Sequence, residues 1–97
     1  MPVIIGEISI VPLGEGTSVS RFVKLAVAAL RDTKLKVFSG PMCTCLEGEN
    51  IEEILSAVKS AHQAVIDAGA KRVVTTLKID DRRDKQATMQ KKMQAVQ

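Results

Sequence analysis

Apolar and polar side chains alternate along residues 3–12: Ile4, Gly6, Ile8 and Ile10 fall on one side, Val3, Ile5, Glu7, Ser9 and Val11 on the other. This period of two among β-branched residues predicts a strand, ended by Pro12. The period then changes. Val19, Phe22, Val23, Ala26 and Leu30 recur at helical spacing, predicting a helix with Ser18 as its N-cap. Short strands follow over 36–39 and 42–47, separated by Gly40-Pro41. Asn50 with Glu53 three residues on reads as a capping box. It opens a second helix with Ile51, Ile54, Leu55, Val58, Ala61, Val65 and Ile66 buried and Gly69 as the C′ residue. Residues 71–80 alternate again, Val73, Thr75, Leu77 and Ile79 against Val74, Thr76, Lys78 and Asp80. A final helix from about Asp84 places Met89, Met93 and Val96 on a weakly apolar side.

The order β-α-β-β-α-β plus a terminal helix predicts an α+β, ferredoxin-like fold in a single domain spanning 1–97. Strands 1 and 3 lie side by side at the centre of an antiparallel sheet, strand 4 beside strand 1, and two helices cover one face. The other face is then too apolar for water, because Val3, Ile5, Val11 and Leu13 flank Glu7 and Ser9. A patch of this kind marks an interface. The expectation is a homo-oligomer in which another subunit buries the open face and Glu7, Ser9, Thr76 and Lys78 line a polar pocket inside it. A buried carboxylate needs a partner, which Lys78 or a cationic ligand supplies.

Composition narrows the function classes. The aromatic fraction is 2%, two Phe with neither Trp nor Tyr, so the base-stacking platform of RNA-binding ferredoxin-like sheets is missing. A net charge of +3 is too mild to imply nucleic acid. No apolar run approaches a membrane span, and the N-terminus does not read as a signal peptide. Cys43 and Cys45 point the same way on one strand and cannot bridge each other without distorting it, so free thiols and a cytoplasmic chain are expected. Their C-x-C spacing, mid-strand and without a nearby His, reads as inert small hydrophobes rather than a metal site. His62, the sole histidine, reads as structural or surface, and Asp80-Asp81-Arg82-Arg83-Asp84 as a salt-bridged turn. A Gly-rich phosphate loop and a nucleophile with an adjacent base are both absent, so neither enzymatic activity nor a cofactor is expected.

The segments Glu7-Ile-Ser-Ile-Val-Pro-Leu-Gly, Ser18-Val-Ser-Arg, Pro41-Met-Cys-Thr with Glu47-Gly, and Arg72-Val-Val-Thr-Thr-Leu-Lys-Ile-Asp-Asp-Arg-Arg-Asp give the chain a family likeness. It resembles the thiamine-binding-protein-like family of small ferredoxin-like proteins, related to YkoF-like thiamine and hydroxymethylpyrimidine binders. The resemblance implies dimers or dimers of dimers, and a small ligand bound near the subunit contacts. It also implies a glycine where this chain has Cys43. An aminopyrimidine offers amino donors to Glu7 or Glu47 and accepts hydrogen bonds from Ser9, Thr44 or Thr76, while a cationic thiazolium favours a carboxylate. Ser18 and Ser20, at the start of helix 1, suit an anionic group. The leading expectation is therefore a non-enzymatic, oligomeric binding protein for a thiamine-like heterocycle. A structural or regulatory homo-oligomeric module without a ligand is the alternative from another class, and a weak enzyme on a similar heterocycle is the third.

Overall fold

The computed structural model describes residues 3–97, with β1 (Ile4–Pro12), α1 (Ser20–Arg31), β2 (Lys36–Ser39), β3 (Thr44–Gly48), α2 (Ile51–Asp67), β4 (Val73–Asp81) and α3 (Met89–Ala95). The strands form one antiparallel sheet in the order β2-β3-β1-β4. This is the ferredoxin-like arrangement that the hydrophobic pattern predicts. Ile4 and Ile8 of β1 and Leu46 of β3 point under the helices and meet Phe22, Ala26 and Leu30 of α1 and Ile54, Ala57, Ala61 and Val65 of α2. Glu7 and Val11 point the other way and are exposed.

Two glycines let α2 settle onto the sheet. A Cβ on Gly48 would stand 2.8 Å from Leu35 Cδ2 and 3.3 Å from Ile54 Cδ1, and one on Gly6 would stand 3.4 Å from Ile54 Cγ2. Ile54 thus fills the space above both strands. The start of α2 is fixed by Asn50 Oδ1, which accepts the Glu53 N–H at 2.9 Å, while the Glu53 carboxylate accepts the Glu49 N–H at 3.2 Å. Its end is a Schellman turn: Gly69 takes φ +106, its N–H donates to Ile66 O, and the Ala70 N–H donates to Val65 O.

Three boundaries differ from the sequence reading. Ser18 does not cap α1; the Phe22 and Val23 N–H groups both donate to the Val19 carbonyl instead, and the side chains make no cap bond. β3 begins at Thr44 rather than Met42, because the Gly40 N–H donates to Cys43 O and leaves Pro41 and Met42 at the hairpin tip. The last helix begins at Met89, not near Asp84. Asp84 is held by a two-pronged pair with Arg82 at 2.6 and 3.0 Å, and Thr88 Oγ1 caps the helix by accepting the Lys91 N–H at 3.1 Å.

The sequence left the open face wholly to another subunit. The chain's own α3 takes part of it. Glu47 Oε1 accepts the Met89 N–H at 2.8 Å, and Lys92 pairs with Asp80. Both carboxylates lie on the open face in the row of Ile5, so α3 crosses that end of the sheet. Its hold is light: none of its residues is buried.

Candidate functional site

Cross-strand partners in a sheet share a face, so the register lays out the open surface in rows. The first row is Lys36, Glu47, Ile5 and Asp80, beneath α3. The second is Phe38, Cys45, Glu7 and Lys78. Ser9 lies beside Thr76, and Val11 beside Val74, in the rows beyond. Glu7, Ser9, Thr76 and Lys78 are therefore brought together as expected.

Glu47 is set apart from them. It is 9% exposed and already committed to the Met89 N–H, with Lys36 Nζ 3.7 Å away. Its carboxylate holds α3 in place. Thr44 is also separated, because it pairs with Ile8 and Ser39 on the helix side of the sheet. Ser18 and Ser20 flank Val19 at the entry to α1 and are exposed.

Glu7 stands at the centre of the exposed surface. Its Oε1 is 3.9 Å from Lys78 Nζ, and its Oε2 accepts the Cys43 thiol at 3.5 Å. Both side chains of the ion pair are well exposed, at 47% and 80%. Such a pair is worth about 0–1 kcal/mol, so Lys78 holds the Glu7 carboxylate only weakly. Phe38, in the same row and 47% exposed, is an aromatic surface that the sequence reading assigned only to a short strand. It lies two strands from Glu7, about 10 Å.

A cleft of about 200 Å³ opens beside this surface, between α1 and the sheet, with Ile8, Ile10, Val11, Val19, Val23, Met42, Cys43 and Thr44 in its walls. The register explains the opening. The last β1 residue paired with β3 is Ile8, opposite Thr44, so Ser9 to Pro12 pair with β4 alone. The β1 edge and Thr44 thus supply polar groups to a cleft that is otherwise apolar. Cys43 belongs to both regions, lining the cleft while its thiol donates to Glu7.

Partial desolvation, the hydrogen bond to Glu7 and the neighbouring Cys45 raise the Cys43 thiol above its ordinary 9.0. Only the thiolate attacks alkylating agents, so Cys43 should react with iodoacetamide more slowly than a free thiol at pH 8. Its rate should reach half-maximum above pH 9, and Glu7→Gln should move that midpoint down. Mass spectrometry of the labelled peptide against pH measures both.

Two further polar pairings lie away from Glu7. Arg83 grips Asp81 at 2.7 and 2.8 Å, and this hydrogen-bonded pairing holds the Asp81 carboxyl below the usual range. His62 Nδ1 lies 2.6 Å from Thr75 Oγ1 and ties α2 to β4. Among the described residues, no group of three or more His, Cys, Asp or Glu is placed to hold a metal ion. No helix among them is long and apolar enough to cross a membrane.

A Glu7-centred surface on a ferredoxin-like sheet coincides with a match to the thiamine-binding protein family over residues 6–97. The chain belongs to that family. A UPF0045 protein of Methanocaldococcus jannaschii is 45% identical over 93 residues, covering 96% of this chain and 91% of the relative. The crystal structure of that organism's hypothetical protein superposes with a TM-score of 0.91 at 45% identity, covering 99% of this chain and 97% of the other. A Thermotoga maritima protein, described as a candidate thiamine biosynthesis or salvage protein, gives a TM-score of 0.83 at 28% identity. That comparison covers 99% of this chain and 100% of the other.

Proposed function

We propose that this member of the thiamine-binding protein family is a non-enzymatic binder of a small heterocycle, thiamine or its hydroxymethylpyrimidine part. The observation behind this reading is the junction at Cys43, where an apolar cleft with a polar strand edge meets the Glu7 carboxylate. A cleft of about 200 Å³ falls below the range of about 300–1,000 Å³ for drug-sized ligands. It suits one ring rather than two. The aminopyrimidine enters it and hydrogen-bonds to Thr44 and the β1 edge near Ser9. The thiazolium stays outside, against Glu7, with Thr76 beside it. Lys78 gives up Glu7 to the ligand.

Enclosure comes from a second copy laid over the exposed part of the open face, where Val11, Val74 and Phe38 are 40%, 46% and 47% exposed. Water leaves the surface and the charge pairing between Glu7 and the thiazolium strengthens. Isothermal calorimetry with thiamine, thiamine phosphates and hydroxymethylpyrimidine tests the reading. Saturable heat with thiamine at sub-millimolar concentration is expected. Its absence with all of these ligands at millimolar concentration favours a ligand-free assembly module.

A further inference from the structure

A mid-strand C-x-C pair with no histidine nearby reads from sequence as inert, but the fold gives Cys43 and Cys45 a different setting. β3 begins at Thr44, so Cys43 stands just outside it, where its carbonyl accepts the Gly40 N–H and closes the hairpin. Both thiols are free and only partly buried. They emerge on the open face. Cys45 is the cross-strand partner of Glu7, and the Cys43 thiol donates to Glu7 Oε2 at 3.5 Å. Two thiols therefore flank one carboxylate, and Cys45 is near enough to Cys43 to help raise its thiol.

Reach and softness decide what such a pair can hold. Residues two apart on an extended chain project to the same side, with Cα atoms about 6.5 Å apart. A disulfide needs its sulfurs about 2.05 Å and its Cβ atoms about 3.8 Å apart, so closing one here would distort the backbone. A metal between the sulfurs relaxes that demand. With thiolate–metal bonds of about 2.3 Å, the two sulfurs can stand as far apart as about 4.6 Å. A structural zinc site takes four ligands, and an iron–sulfur cluster takes four cysteines. Among the described residues no group of three or more His, Cys, Asp or Glu is so placed. Calcium and magnesium require a shell of oxygens. The cation that soft thiolates select and that accepts two of them alone is Cu(I).

We propose that Cys43 and Cys45 form a two-thiolate site for a single Cu(I) ion at the mouth of the cleft. Each thiol gives up its proton to solvent, two sulfur–copper bonds form, and the copper keeps its oxidation state. The product carries one negative charge, which Lys78, across from Glu7 in the same row, offsets. Phe38 pairs with Cys45 on the other side and sets an apolar side chain beside the metal, which limits its contact with water. Glu7 is a neighbour of the site and not a ligand, because its hydrogen bond to Cys43 disappears with the thiol proton. The inference goes beyond the heterocycle reading and does not depend on it.

Anaerobic titration of the reduced protein with Cu(I) held by the chelator bicinchoninate tests the site. One copper per chain should pass to the protein and give thiolate-to-copper charge-transfer absorption in the ultraviolet. X-ray absorption should show a shell of two sulfurs and no oxygen or nitrogen. Cys43→Ser and Cys45→Ser should each leave the copper with the chelator, while circular dichroism and the melting midpoint stay at the wild-type values. Glu7→Gln should keep the full stoichiometry and bind several-fold more tightly, since a carboxylate beside an anionic metal site repels it. No transfer to the wild-type protein, retention of copper by either serine variant, or a shell rich in oxygen or nitrogen overturns the proposal. Loss of copper in Glu7→Gln overturns it too, because Glu7 would then be a ligand.

Discussion

Replacing Glu7 with glutamine is expected to weaken thiamine binding by about ten- to a hundredfold while leaving the thermal unfolding midpoint in place. A hydrogen bond to a charged group contributes about 1.5–3 kcal/mol, and about 1.4 kcal/mol is a factor of ten in affinity. Glutamine keeps the shape and one acceptor but cannot neutralise a thiazolium. The fold loses little, because the Lys78 pair at 3.9 Å is exposed and such pairs contribute about 0–1 kcal/mol. Calorimetry and a melting curve on the same sample separate the two quantities. Glu7→Ala should likewise weaken the ligand more than the assembly. Equal loss of both would make Glu7 a contact residue between copies, with no special part in ligand recognition.

Ile54→Ala should cost about 3–5 kcal/mol of unfolding free energy, towards the upper end of the range for a buried aliphatic truncation. That is a large share of the roughly 5–15 kcal/mol available to a typical domain. Ile54 is fully buried and packs over Gly6 and Gly48. Neither glycine has a side chain that can relax into the space, so the cavity persists. Urea titration followed by circular dichroism measures the loss. A cost below about 1 kcal/mol would mean that α2 can sink onto the sheet, contrary to the close approach of Leu35 at Gly48.

Much of the fold was legible because alternation and helical spacing are strong here. The strand order, the inward row of β4, the Asn50 cap and the turn at Gly69 follow from periods and turn chemistry that are local. Thr44 lies on the face opposite Glu7, though it borders the same cleft as Ser9, and the signal for this was present. Alternation already places Thr44 with Leu46, opposite Cys43, Cys45 and Glu47. Glu47 itself was not legible as an anchor, because its partner, the Met89 N–H, lies far along the chain. Phe38 was missed as part of the Glu7 row for a similar reason. It reaches that row through β3, by pairings that only the register reveals.

The strand at the centre of the sheet is central for half its length. From Ile4 to Ile8, β1 is clasped between β3 and β4, and from Ser9 to Pro12 it is held by β4 alone. The amide protons of one continuous strand should therefore exchange with solvent in two classes, slow in the first half and faster in the second, since local opening follows local support. The softer half is the one that borders the cleft. A ring entering there would supply the missing neighbour, so ligand binding should appear as protection of Ser9 to Val11 while Ile4 to Ile8 hardly change. The unfinished half of β1 would then be a strand that its ligand completes.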